Sequence, residues 1–213
     1  MALPPIVEKP QRDWLFKVTE KLSKQPARDV CLMCFFFGTG LTTLQINRIQ
    51  LGDVLTKSGK LQKSFTIRGE DRLCYLSHPK VIESLNRYLD YRVKNKILQG
   101  NHPDHYRGLD PDEGLFITDK GAPYSIMSKP TSAGKVSYSS DALNRHIKRL
   151  LTQAGVDDAS INSGRRTFTV TLHRAGYDIG HIHHLMGNKT LDTTQKLLIT
   201  DTVNMGGIVA NAF

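Results

Sequence analysis

Residues 27–37, ARDVCLMCFFF, form a run that is apolar nearly all round once wound into a helix. A helix of that kind has to be enclosed by the rest of the chain, so it sets the middle of a core and asks for amphipathic partners. The partners can be read from helical spacing. Asp13 is placed to cap a helix over residues 14–24, with Leu15, Val18 and Leu22 on one face. Pro79 opens a long helix with Val81, Ile82, Leu85, Tyr88 and Leu89 inward, and Tyr88 and Tyr91 read as packing residues. Ser139-Ser140-Asp141 caps another, with Leu143, Ile147, Leu150 and Leu151 inside and Arg145, His146, Lys148 and Arg149 on the other faces. Further helices are predicted over 165–174, 179–186 and 191–199, and a short amphipathic turn over 43–49.

Strand signals are few. Residues 61–67 and 73–76 flank the turn Arg68-Gly69-Glu70-Asp71, as in a hairpin, and Leu115-Phe116-Ile117 reads as a short buried strand. Residues 118–140, rich in Gly, Pro, Ser and Lys, read as a long loop, a kind that is often functional. The expected fold is mainly α with a small antiparallel β-hairpin or sheet, an α+β domain. Residues 1–12, with three prolines, read as an extended arm, 13–201 as the domain, and 202–213 as an apolar tail broken by Gly-Gly.

A chain of 213 residues is long enough to bury a proper core. Its net charge of +9 and pI near 9.5 suit a polyanion-binding surface. No run of about eighteen apolar residues suggests a membrane span, and no basic segment followed by an apolar block marks a secretory leader. Cytoplasmic residence is expected. Cys31 and Cys34, at C-x-x-C spacing, lie inside the apolar helix and read as buried small hydrophobes. His102 and His105 beside Asp104 read as a solvated loop. His181, His183 and His184 fall on different helix faces, so no metal and no cofactor are expected.

The segment INSGRRTF, residues 161–168, puts Arg165 and Arg166 at the mouth of a helix, after a loop-like Asn-Ser-Gly. The first N–H groups of a helix lack intrahelical partners, and guanidinium groups fit phosphate, so this is a place to hold one.

With FFFGTGLTTLQINRIQLGDV upstream and HHLMGNKTLDTTQ downstream, this segment resembles the catalytic domain of the tyrosine recombinases, the phage integrase family. The order and spacing of the three segments carry the resemblance, which runs from about residue 13 to residue 201. It implies that family's catalytic-domain fold and a duplex-DNA partner. It also implies a transesterification in which a tyrosine attacks phosphorus, two arginines and a histidine stabilise the growing charge, and a hairpin lysine protonates the leaving oxygen.

Aligned on those motifs, the first arginine falls on Thr42, the histidine of His-x-x-Arg on Asn162, the second arginine on Arg165, the later His or Trp on Asn188, and the tyrosine on Leu197. No hairpin residue matches the lysine unambiguously: the turn offers Arg68 and Arg72, with Lys60 and Lys63 upstream. Losing one preorganised donor typically costs about 100- to 1000-fold in rate, and losing a covalent nucleophile on the order of a million-fold.

The resemblance therefore implies a DNA-binding protein that has lost its nucleophile, an accessory or regulatory factor of a mobile element or plasmid associated with nucleoid or plasmid DNA. Arg165, Arg166, Arg68, Arg72, Arg145, Lys148, Arg149 and Lys189 are the expected DNA contacts. Two alternatives stay open: an active but atypical site-specific recombinase, and an interaction module that pairs with itself or with an active recombinase through its tail.

Overall fold

The computed structural model of the chain describes residues 3–131 and 134–199. At its centre lies α2 (Pro26–Gly38), opened by Pro26, with Cys31, Leu32, Met33, Phe35 and Phe36 almost wholly buried. Three helices enclose it: α1 (Lys9–Leu22), α5 (Pro79–Lys94) and α7 (Ser163–Arg174). Between α2 and α5 run the short helices α3 (Thr43–Arg48) and α4 (Leu51–Val54) and an antiparallel hairpin, β1 (Ser64–Thr66) with β2 (Leu73–Tyr75), in register Phe65 to Cys74. A second hairpin, β3 (Met127–Pro130) with β4 (Val136–Ser139), precedes α6 (Asp141–Gln153), and α8 (Ile179–Met186) and α9 (Leu191–Leu198) close the described chain. The domain is mainly helical with two small antiparallel sheets. Among the described residues no helix is long and apolar enough to cross a membrane.

Several expectations are corrected. Helix α1 starts at Lys9, so residues 9–12 are helical. Its cap is Glu8, whose backbone N–H donates to Gln11 Oε1 at 2.9 Å while its own side chain accepts from the Gln11 N–H. Leu22, the last residue of α1, is 61% exposed rather than inward. Leu115, Phe116 and Ile117 are buried, but among the described residues the segment carries one isolated bridge, Ile117 to Pro123, with another just before it from Gln50 to Gly114, so it is a threaded crossing and not a strand. There Phe116 stacks on Tyr88, centroids 5.9 Å apart, and meets Phe35 edge-on at 5.4 Å. The stretch read as a loop holds the β3–β4 hairpin. Asn47 pins both its feet, donating to Tyr124 O at 3.1 Å and Ser140 Oγ at 2.9 Å.

His146, expected on an outer face of α6, points inward and is only 8% exposed. Asp29 draws it in, accepting from His146 Nε2 at 2.7 Å and from Arg28 Nε at 2.7 Å, with Ser23 Oγ on its other oxygen. Arg28 is fully buried and also reaches Ile117 O at 3.0 Å and Asp119 at 2.8 Å. Burial alone would push the Arg28 guanidinium down, but bonding to Asp29 and its charge hold it above the ordinary value.

Candidate functional site

Helix α7 opens on a closed turn, in which Ser163 Oγ accepts from the Ser160 N–H at 2.9 Å and the Ser163 N–H returns a bond to Ser160 O. Two residues later Arg165 leaves α7 toward the C-terminal end of α8. Its Nη2 donates to Met186 O at 3.0 Å and Asn188 Oδ1 at 2.8 Å, and its Nη1 donates to Gly40 O at 2.8 Å. All three acceptors are neutral oxygens. Burial, and after it the neighbouring Arg72 cation, push the Arg165 guanidinium down to about 10 against the opposing pull of Glu70. Asn188 is held in turn, donating to the buried Thr194 Oγ1 at 2.9 Å, and that oxygen lies 3.0 Å from His183 Nδ1.

Arg72 reaches the same end of α8 from the β1–β2 hairpin, and its Nη1 donates to Leu185 O. Two cations thus sit on consecutive carbonyls at the negative end of a helix. Gly187 makes room for one of them: it caps α8 with φ +59°, and a Cβ there would stand 2.2 Å from Arg72 Nε. Arg72 Nε also meets Glu70 at 3.3 Å, and the second oxygen of Glu70 accepts from Gln45 Nε2. Gln45 belongs to a capping box at the start of α3. Its Oε1 accepts from the Thr42 N–H at 2.7 Å and its own N–H donates to Thr42 Oγ1 at 3.2 Å. Thr42 therefore serves as a helix cap, two residues from the Gly40 carbonyl that Arg165 binds.

The other residues singled out from sequence separate. Arg166 does not stand beside Arg165 at the surface. It is 5% exposed and its guanidinium donates to Leu197 O at 3.0 Å, Pro4 O at 2.6 Å and Ile199 O at 2.8 Å, tying the N-terminal segment and α9 to α7. Neighbours on a helix point about 100° apart, so the pair cannot share one phosphate. Arg68 turns back onto Asp53 with two bonds of 2.9 Å. Lys148 bends to the carbonyls of Asp157 and Ala159. Arg149 Nη2 donates to His146 Nδ1 at 2.9 Å, which leaves Nε2–H for Asp29. Arg145, Lys189 and Asn162 are exposed. Leu197 is half-buried and carries no heteroatom in its side chain. The apolar tail, residues 202–213, through which pairing is one of the alternatives, lies outside the described residues. His181 is exposed while His183 is bound to Thr194, so these two imidazoles do not converge.

Gln45 and Glu70 were not singled out from sequence. The T-x-x-Q spacing of Thr42 and Gln45 is a capping-box signature that would have found the first; nothing local marks the second.

The fold and the arginine-bearing helix define a class, and comparison with known proteins gives it a name. The family model described as Phage integrase family matches residues 6–198, and the chain belongs to that family. Its fold is that of XerA recombinase, with a TM-score of 0.70 at 16% identity, over 99% of this chain and 65% of that one. XerH site-specific recombinase, in a post-cleavage complex with palindromic difH substrate, matches at 0.65 and 16%, over 99% of this chain and 54% of that one. The Tn1549 transposon integrase in complex with transposon right-end DNA matches at 0.65 and 13%, over 98% and 66%. The chain thus spans about two thirds or less of these relatives. No curated protein sequence matches it.

Proposed function

We propose that this chain is a DNA-binding member of the phage integrase family that does not cut DNA, serving a mobile element or plasmid as an accessory or regulatory factor. Its partner is duplex DNA in the cytoplasm, on nucleoid or plasmid, and the reading needs no metal or cofactor. The observation that carries it is the Arg165 guanidinium, a cation held in place by three neutral oxygens with no carboxylate bonded to it among the described residues. Such a group keeps its charge for an incoming anion. Arg72 stands next to it, and the exposed Arg145, Arg149 and Lys189 would extend the track along the backbone. XerH is described bound to its difH substrate and the Tn1549 integrase in complex with transposon DNA, which supports the same partner class here.

The chemistry of strand cleavage lacks its parts. Thr42 is spent on a capping box, Asn162 and Asn188 cannot exchange a proton near neutral pH, and Leu197 has no nucleophile to offer. Retention of random and genomic duplexes should therefore fall steeply between about 50 and 300 mM salt. Arg165→Ala should weaken it by about tenfold or more at low salt. A denaturing gel of the same samples should show no protein–DNA adduct. An adduct would mean an active, atypical recombinase, and no retention at any salt would make the chain a protein-interaction module.

A further inference from the structure

We propose that Arg72 is the centre of an oxyanion seat for one backbone phosphate, and that Glu70 is its resident stand-in, displaced when nucleic acid arrives. The inference rests on the DNA-binding reading above and assigns the Arg72–Glu70–Gln45 corner a role in it.

Three observations converge. Arg72 is deeply enclosed, its side chain 8% exposed, yet its Nη2 is shielded from solvent and has no acceptor among the described residues. Buried donors are nearly always satisfied, so an orphan on a charged group marks a place for a ligand oxygen. Its other nitrogens are aimed, with Nη1 on Leu185 O and Nε on Glu70, so the group is not free to swing away. Gly187 has no side chain at a place where a Cβ would collide with this guanidinium.

Glu70 already presents to this corner what a phosphate would present. One carboxylate oxygen sits on Arg72 and the other on the Gln45 amide, so two acceptor oxygens of an anion bridge β1–β2 and α3. The same charge bears on Arg165 next door. Unlike Arg72, however, Glu70 is 38% exposed, and it follows Gly69 at φ +80°, around which a Cβ would meet nothing within 4 Å. The turn therefore has space into which the carboxylate can withdraw. A phosphate oxygen arriving at Nη2 and Nε would keep Arg72 in place and release Glu70 to water.

The exchange has a thermodynamic signature. A cation already neutralised by an internal carboxylate contributes less to counterion release than one that meets the DNA bare. Full-length wild type, Glu70→Gln and Asp71→Asn are compared by fluorescence anisotropy on a labelled random duplex between about 50 and 300 mM salt, with matched melting curves. Asp71 is the exposed neighbour, so its neutralisation changes net charge equally without emptying the seat. Glu70→Gln should bind about fivefold tighter at low salt, with the slope of log affinity against log salt steeper by roughly 0.9. Asp71→Asn should change affinity less than about twofold at unchanged slope. Adding Arg72→Gln to Glu70→Gln should erase the gain. Equal gains in the two single variants, or a gain that survives loss of Arg72, would overturn the seat while leaving DNA binding intact. No binding by any variant would overturn the DNA-binding reading itself.

Discussion

Asp29→Asn is expected to lower the unfolding free energy by about 3–5 kcal/mol, the cost of removing one partner from a buried ion pair. The carboxylate is 1% exposed and accepts from Arg28 Nε, His146 Nε2 and Ser23 Oγ at once. Without that charge, the fully buried guanidinium is left with one carboxylate among the described residues, the partly exposed Asp119, beside the Ile117 carbonyl. The same carboxylate gives stability a pH dependence. Burial raises its pKa, but hydrogen bonds from His146 and Arg28 outweigh that and bring it from 3.8 down to about 2. A depressed carboxylate stabilises fully above its unfolded value, near 3.8, and loses that contribution as pH falls through 2. At about 1.4 kcal/mol per pH unit this amounts to roughly 2 kcal/mol. Urea unfolding of wild type and Asp29→Asn, run from neutral pH to about pH 2, should show the gap between them shrinking at the acid end. A gap constant with pH would mean that Asp29 is not the charged hub. Arg28→Met added to Asp29→Asn should recover part of the loss, because the stranded cation goes with it.

That network marks the limit of what the sequence makes legible. Arg28 and Asp29 sit at the head of a run that reads as apolar, and no local pattern says that two charges there are buried against a histidine 117 residues away in the chain. The inward place of His146 was legible: it lies three residues after Leu143 and four before Leu150, on the face those leucines define. The separate fates of Arg165 and Arg166 follow from the angle between helix neighbours in the same way. The helices whose inner faces spacing marked most fully, α5 and α6, are those with a continuous buried stripe. The β3–β4 hairpin escaped because nearly every residue of it is exposed, and strand periodicity shows only where one face is buried. Glu70 could not be placed at the site for a simpler reason. It joins Gln45 across 25 residues of chain, a contact created by tertiary packing of a hairpin on a helix end.

Gly164→Ala should be the most damaging small substitution at the site, and it tests whether the geometry of α7 or only the charge of Arg165 matters. A Cβ at 164 would stand 2.4 Å from Phe36 O and 2.9 Å from its ring. The obstructing atom is backbone of α2, the central helix, and Phe36 is 1% exposed, so neither can yield cheaply. Overpacking of this kind costs about 1–3 kcal/mol, and with backbone in the way the upper end is expected. Up to about 1 kcal/mol of helix propensity gained by replacing glycine does not cover it. The first turn of α7 must then lift from α2, and Arg165 is the next residue. Its three acceptors, Gly40 O, Met186 O and Asn188 Oδ1, belong to segments that do not move with α7, so a lift pulls the guanidinium off all of them. Duplex affinity, measured well below the melting transition, should then fall about as far as in Arg165→Ala, by about tenfold or more, although every charge of the protein is still present. Wild-type affinity in a destabilised Gly164→Ala protein would show instead that DNA reads the net charge of this face and not the placement of one arginine.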